Sequence, residues 1–220
     1  MKKVFYFLCT ALLLFSCAED EMVVDKGDHA YVDLGLSVKW ATCNVGADRP
    51  EEYGAYFAWG ETKPKYTYDD EWSNYKWYNI SSETFTKYCS ESEYGIVDNK
   101  TQLDLSDDAA HVNWGKPWRM PTHDELTELH TKCTWTWTTQ NGVNGYLVTS
   151  NINGNTIFLP AAGSRDGNSL DGEGETGWYW SSSLGTDGPF DSWCVIGELS
   201  DVELDDYERN CGLSVRPVRP

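Results

Sequence analysis

The loop at residues 166–175, DGNSLDGEGE, concentrates side chains whose oxygen atoms suit a hard cation. Oxygen ligands placed among glycines are typical of Ca²⁺ sites, but the spacing differs from an EF-hand: the glycine falls one place late and no bidentate glutamate stands at the twelfth position. An acidic, turn-rich loop that needs no ion has the same composition. We expect no cofactor, with Ca²⁺ as the one candidate, held by Asp166, Asn168, Asp171, Glu173 and Glu175.

Histidines and acids elsewhere match no known catalytic arrangement. His123 and His130 are seven residues apart, about 10 Å along a helix, which is too far to share a metal ion at bonds of about 2 Å. Asp107, Asp108 and His111 could converge as metal ligands, or the acids could start a helix and complement its dipole. The chain has no GxSxG, phosphate-loop or HExxH motif. We therefore predict that it is not an enzyme.

Cys17 ends an apolar N-terminal segment and is a candidate for lipid attachment. Lys2 and Lys3 precede an apolar run at residues 4–15, which is too short to cross about 30 Å of hydrocarbon and has the form of a secretory signal peptide. The run ends in LFSC, which resembles a bacterial lipobox, where the cysteine sulfur receives a diacylglycerol and the preceding peptide bond is cut. The alternative is an ordinary thiol beside an ordinary signal peptide. We expect a signal peptide at residues 1–16 and a membrane anchor on Cys17, since each buried CH₂ adds about 0.8 kcal/mol.

The acids that follow Cys17 predict where in the cell the protein is located. The run AEDE at residues 18–21 resembles the export tag of Bacteroidota lipoproteins, which directs them to the outer face of the outer membrane. The same acids also suit a solvated tether that like-charge repulsion keeps unfolded. We interpret residues 17–30 as an acidic, lipidated tether and expect the protein to be anchored in the outer membrane and exposed on the cell surface.

The charge of the mature chain excludes some partners. Removing residues 1–16 takes away two lysines and no acids, which leaves 15 basic against 35 acidic residues, a formal charge near −20. Nucleic acid is therefore not expected as a partner, because phosphates are bound by clustered Lys and Arg. The eleven Trp and thirteen Tyr suit carbohydrate or protein recognition as well as core packing.

The elements that must position these residues are short. From Tyr31 onward, apolar alternation broken by glycines predicts strands, and NGVN and NING between later strands predict hairpins. Thr122 and Glu125 form a capping box that predicts one clear helix at about residues 122–132. Residues 61–95 lack periodicity and are interpreted as a long surface excursion. The sequence predicts one α+β domain at residues 31–220, mostly antiparallel.

Export makes disulfide bonds plausible among the five cysteines that follow Cys17. A Cys43–Cys133 bond would close 91 residues and add about 4–5 kcal/mol, and a Cys194–Cys211 bond would close 18 and add about 3 kcal/mol. Cys89 would then be the odd thiol. No CxxC or CxxH pair supports a structural zinc site.

Six motifs together resemble the FISUMP-type major paralogous domain, which is common in surface lipoproteins of Bacteroidota. They span nearly all of residues 31–220: VDLGLSVKWATCNVGA, YFAWGE, DDAAHVNWGKPWRMPTHDEL, TIFLPAAGSR, GWYWSSS and GLSVRPV. That family is similar to the C-type-lectin-like fold of formylglycine-generating enzymes, whose helix start matches RMPT with Glu125, and whose closing core strand matches SVR at residues 214–216. The likeness stops at the fold, because those enzymes use two closely spaced cysteines, whereas Cys194 and Cys211 are 17 apart.

The resemblance implies where a ligand would bind. In C-type-lectin-like folds the segment before the closing strand forms exposed binding loops, and here that segment is residues 184–210. Alternatively, Trp193 packs inward beside Val195 and the acids merely solvate a hairpin. The residues implied as ligand-binding are Asp191, Trp193, Asp205, Asp206, Tyr207 and Arg209.

Two hypotheses for function follow from the sequence. The first is a surface-anchored module for ligand binding or adhesion, with a glycan or protein ligand that the residues do not name. The second is a structural or assembly component of the cell envelope or of fimbriae. Both keep the membrane, through the N-terminal lipid, as a partner.

Overall fold

The computed structural model describes residues 23–24, 29–69 and 71–220. Within these ranges most of the ordered elements are short strands. The strands are β1 Val23–Val24, β2 Ala30–Val32, β3 Lys39–Ala41, β4 Tyr56–Phe57, β5 Tyr78–Asn79, β6 Thr84–Phe85, β7 Cys133–Gln140, β8 Val143–Ser150, β9 Thr156–Pro160, β10 Ser164–Asp166, β11 Ser169–Asp171, β12 Thr176–Leu184, β13 Asp191–Glu198, β14 Asp201–Glu208, β15 Leu213–Ser214 and β16 Val218–Arg219. The helices are a 3₁₀ turn at Leu105–Asp107, α1 Ala109–Trp114 and α2 His123–Lys132.

The largest sheet has five strands in the order β14-β13-β12-β15-β4. Its pairings are antiparallel except that of β12 with β15, which is parallel at Tyr179 opposite Ser214. A four-stranded sheet, β1-β2-β3-β16, joins the two ends of the described chain, and β7-β8-β9 form a three-stranded sheet. The fold is α+β and mostly antiparallel, as predicted.

Two apolar clusters flank the five-stranded sheet. Tyr179 and Val195 belong to one cluster, and Trp180 and Cys194 belong to the other. Successive side chains of a strand point to opposite faces, so β12 and β13 supply both. Helix α2 covers the first face, because it packs against β12, β13 and β14.

Helix α2 forms where the sequence predicts it. Thr122 is the N-cap: its hydroxyl accepts from the Glu125 amide at 3.2 Å, and the Glu125 carboxylate accepts from the Thr122 amide at 2.8 Å. Arg119 donates two bonds to the same carboxylate, at 2.6 and 2.7 Å. Leu126 and Leu129 are buried. Local capping and one apolar stripe therefore explain this element.

The predicted NGVN hairpin is confirmed as the β7–β8 connection. Its two central residues, Asn141 and Gly142, have φ of 49° and 87°. Positive φ at both positions defines the turn whose twist matches paired strands, which explains the Asn-Gly choice.

The folded region begins before residue 31. Val23 and Val24 of β1 pair with Tyr31 and Ala30, so part of the predicted tether belongs to a sheet. Cys17 and residues 1–16 lie outside the described residues. In the described part of the chain no helix is long and apolar enough to span a membrane.

Much of residues 61–95 is exposed, as predicted for a surface excursion, but the segment is anchored by buried aromatic rings that the sequence did not predict. Tyr68, Tyr75, Phe85 and Tyr88 are at most 2% exposed. The Tyr75 hydroxyl donates to the carbonyl of Trp59 at 2.7 Å. Tyrosine rings can be buried at irregular spacing because each hydroxyl finds its own acceptor. That is why burial here leaves no periodic pattern.

The predicted disulfide bonds are absent: none joins the five cysteines that the structure describes, Cys43, Cys89, Cys133, Cys194 and Cys211. Cys43 lines a cavity with His29 and Trp114, whereas Cys133 lines a different one with His130. Cys194 lies within β13 opposite Trp180 and Asp205, while Cys211 follows the end of β14. Chain separation, on which the loop-entropy estimate depends, carries no information about these positions.

Candidate functional site

The segment predicted as exposed binding loops, residues 184–210, is mostly the β13–β14 hairpin. In β14 the side chains alternate: Val202 and Leu204 pack against the cluster that contains α2, and Glu203 and Asp205 are exposed. The structure thus has a hairpin here, which was the alternative interpretation, rather than a set of loops. The mixture of aromatic and charged residues is that of an edge strand with one solvent-exposed face.

Arg209 is not displayed on the surface. It is 0% exposed, and its guanidinium donates to the Tyr75 hydroxyl at 3.0 Å and to the carbonyls of Pro189, Tyr88 and Lys87 at 2.6 to 3.2 Å. Its role is to hold the aromatic unit of residues 61–95 against the hairpin.

Tyr207 is half-buried rather than displayed. Its ring packs on Trp178 with centroids 4.6 Å apart. Burial, followed by the nearby Cys211 and Asp166, raises the pKa of Tyr207 to about 12. The phenol therefore stays protonated at neutral pH and contributes packing.

Trp193 does reach a cavity, and it is the residue around which a site can be built. The cavity measures about 280 Å³ and is lined by Thr101, Gln102, Thr122, His123, Asp124, Ser183 and Trp193. The imidazole of His123 lies over the indole, with centroids 4.3 Å apart and planes inclined by 38°. One half-buried aromatic ring thus meets hydroxyl, amide and carboxylate groups.

Three elements position this cavity. The Thr122 cap starts α2 at His123, whose amide donates to the Ser183 hydroxyl at 3.1 Å. Ser183 lies in a stretch of β12 where the register with β13 shifts, and Trp193 follows on β13. Gln102 reaches the Ser182 hydroxyl at 3.3 Å. The cavity therefore lies where a helix start, an irregular strand and a hairpin meet.

The hairpin beside the cavity carries an acidic group. Trp193 pairs across the ladder with Asp206, and Asp191 pairs with Glu208. Burial, followed by the charges of Asp206 and Glu208, raises the pKa of Asp191 to about 6. Burial and Asp205 also raise the pKa of Asp206. The surroundings of the cavity are therefore strongly negative at neutral pH.

The predicted calcium ligands do not converge. Asp166 and Asp171 belong to the β10–β11 hairpin but pair with Ser169 and Ser164. The side-chain Oδ1 of Asn168 accepts from the Thr67 hydroxyl at 2.8 Å. Glu173 and Glu175 are exposed on the following turn. Among the described residues no three His, Cys, Asp or Glu side chains are placed to hold one metal ion.

The alternative interpretation of the other acid cluster, as a helix start, is confirmed. Asp108 is the N-cap of α1 and accepts from the His111 amide at 2.8 Å. Asp107 accepts from Tyr88 at 2.6 Å and pairs with Lys76 at 3.0 Å and with Lys87. Both carboxylates are thus occupied by structural contacts.

A second cavity, of about 310 Å³, lies at the other end of α2. Its lining is His130, Cys133, Trp135, Tyr146, Ser200, Asp201 and Val202. Sequence reasoning missed this cavity and the place of His123 in the first. The alternation of Trp135 and Trp137 along β7 was the available signal, since it places two indoles on one strand face.

No family model, no curated protein and no solved structure matches this chain.

Proposed function

We propose that this protein is a lipid-anchored module that binds a ligand at the bacterial cell surface. The observation that carries the proposal is the Trp193 cavity. In it one indole ring lies among hydroxyl, amide and carboxylate groups that can exchange hydrogen bonds with a ligand. Its volume of about 280 Å³ lies near the lower end of the range for ligand sites, which begins at about 300 Å³.

The FISUMP resemblance and a C-type-lectin-like fold form part of the proposal. Their support is that three of the motifs meet at one buried side chain, Arg216. It donates to the carbonyls of Ala41 and Thr42 at 3.1 and 2.9 Å, to that of Phe158 at 2.9 Å and to the Asn44 side chain at 2.9 Å. A residue that ties the motifs together explains why they occur as a set.

The proposed location at the cell surface depends on the LFSC motif and on the acids at residues 18–21. We expect Cys17→Ser to release the protein from membranes. Neutralising Glu19, Asp20 and Glu21 should leave it anchored but shielded from protease added to intact cells. Membrane retention of Cys17→Ser would refute lipidation, and unchanged protease sensitivity of the acid variant would refute the export tag.

Ligand binding is tested with the released Cys17→Ser chain on glycan and protein arrays. For any hit, Trp193→Ala should weaken binding at least tenfold, since a buried Trp anchor commonly contributes 2 kcal/mol or more. Gln102→Ala alters the cavity at an exposed position and separates loss of contact from loss of folding. Tyr66, which is 99% exposed, provides the matched control Tyr66→Ala. Hits that respond equally to all three variants would place binding elsewhere.

The alternative is a structural or assembly component of the envelope or of fimbriae. Such a subunit would offer the edge strand β14 for pairing, but Glu203 and Asp205 expose charge along it, and charged side chains discourage edge pairing. Capture of one stable envelope protein whose binding ignores Trp193→Ala would favour this alternative.

A further inference from the structure

The two cavities share one helix. His123 lines the first and His130 lines the second, and a separation of seven residues places both on one side of α2, about 10 Å apart along the axis. Each histidine faces a cavity that also contains an indole, Trp193 in the first and Trp135 in the second. The helix therefore connects two cavities of similar composition.

The adjoining strands span a similar distance beside the same two cavities. Trp193 and Asp206 form one ladder pair beside the first cavity, and Gly197 and Val202 form another beside the second. Val202 and Asp206 are four positions apart, which corresponds to about 13 Å along a strand. Leu204 lies between them on the same face and is only partly buried. The two cavities therefore lie at the two ends of one strip of surface, which runs along α2 from His123 to His130 and along β14 from Asp206 to Val202.

The second cavity has a rigid wall. The Tyr146 hydroxyl donates to the carbonyls of Asp201, at 3.0 Å, and of Glu198. The Tyr146 ring meets Trp135 edge-on at 5.7 Å. The buried Nε1 of Trp135 has no hydrogen-bond partner within the described residues. Because this Nε1 atom is itself buried, the Trp135 indole contributes its ring rather than a hydrogen-bond donor to the cavity.

The chemistry of the strip suits rings that combine an apolar face with hydroxyl groups. Indole rings pack against apolar ring faces, while imidazole, hydroxyl, amide and carboxylate groups exchange hydrogen bonds with hydroxyls. The nearby carboxylates Asp124, Asp201 and Asp206, on a chain of formal charge −18, repel polyanions. Sugar rings without charge meet all three conditions.

We propose that the two cavities are subsites for one linear, uncharged oligosaccharide that lies along α2 and β14. This inference rests on the proposed binding function and specifies its ligand. One end of the oligosaccharide packs on Trp193 and the other on Trp135. Linking two weak subsites raises affinity without any new type of contact, because the second contact becomes intramolecular.

The test is calorimetry with the Cys17→Ser chain and uncharged oligomers of glucose, mannose and xylose, from two to eight units. Affinity for at least one series should rise with length and then level off once both cavities are filled. With the longest binding oligomer, Trp193→Ala and Trp135→Ala should each weaken binding at least fivefold. With a short oligomer, each variant should lose only the contact at its own cavity.

Controls separate binding from folding. Trp137 packs on Tyr146 with centroids 5.2 Å apart but does not line the cavity, so Trp137→Ala should lower stability without the length-dependent loss. His130→Ala provides a second cavity variant at a half-buried position and should behave like Trp135→Ala.

Several results would overturn the inference. These are failure of every oligomer to bind, affinity independent of length, insensitivity to both Trp135→Ala and His130→Ala, or tighter binding of uronic-acid or sulfated oligomers. A protein-array hit that depends on Trp193 would overturn the inference alone and leave the proposed binding function standing. Absence of any hit on either array would refute the proposed function itself, whereas hits that do not depend on Trp193 would place binding at another site.

Discussion

At the scale of single residues, the charged side chain of Arg209 is buried in the interior and forms hydrogen bonds there. Arg209 is surrounded by carbonyls and by the rings of Trp59 and Phe85, each with its centroid 4.9 Å from the guanidinium carbon. Such an arrangement replaces the water that the charge loses on burial, through hydrogen bonds and ring quadrupoles. Truncating Arg209 would leave those acceptors unpaired.

We expect Arg209→Gln to lower the free energy of unfolding by at least about 3 kcal/mol, since a hydrogen bond to a charged group contributes about 1.5–3 kcal/mol. Urea denaturation measures the change. Arg49→Gln is the control, because the Arg49 side chain is 68% exposed, and it should stay within about 0.5 kcal/mol. Normal stability of Arg209→Gln would contradict the structural role.

Asp191 makes stability depend on pH. Its folded pKa of about 6 lies above the ordinary value of an aspartate, so the folded state binds the proton more tightly than the unfolded state. The group therefore favours folding at low pH, and that contribution is lost as pH rises through about 6. The charged groups near it are Asp187, Asp206, Glu208 and Arg209.

Asp191→Asn should raise the melting temperature at pH 7.5, because it removes a half-buried charge and its repulsion. The difference from wild type should shrink as pH falls from about 6 and nearly vanish near pH 4, where Asp191 is protonated in the folded protein. Thermal melts across this range measure it. A gain that is equal at both pH values would show that charge is not the cause.

At the scale of elements, the start of α2 positions His123 for the first cavity. The Thr122 hydroxyl and the Glu125 carboxylate satisfy two amides that the helix itself leaves unpaired. Arg119 fixes the same carboxylate from the preceding segment. The helix start is thus held both locally and from outside.

Thr122→Ala should lower the free energy of unfolding by about 1 kcal/mol, the usual cost of a lost N-cap. Thr131→Ala is the matched control, since Thr131 is exposed in the last turn of α2, and its effect should be within about 0.5 kcal/mol. Equal effects, measured by urea denaturation, would show that the cap contributes nothing.

At the scale of the whole molecule, packing rather than disulfide bonds holds the described residues together. Burial, followed by Glu128, raises the pKa of Cys133 to about 11, and burial raises the pKa of Cys194 well above its usual range. Disulfide exchange needs an accessible thiolate. These thiols are therefore poorly reactive in the folded protein.

We expect a reducing agent to leave the melting temperature unchanged, and a thiol-alkylating reagent to modify Cys133 and Cys194 only after unfolding. Mass spectrometry of native and denatured protein measures this modification. Two disulfide bonds would instead show as a mass lower by four hydrogens and as a large drop in melting temperature on reduction.

Local patterns were sufficient for some elements. The α2 capping box and the Asn-Gly turn were predicted from sequence because hydrogen bonds between residues a few positions apart decide them. The α+β class and the mostly antiparallel pairing followed from apolar alternation and turn signals.

The tertiary structure alone decided the surroundings of Arg209, Trp193 and the five described cysteines. Arg209 suited an exposed loop as well as a buried aromatic unit, and only the packing of residues 61–95 distinguishes the two. His123 and Trp193 are 70 positions apart and meet because α2 packs on β13. Strand register and helix packing determine such contacts. Residue types and short-range spacing along the chain therefore do not predict them.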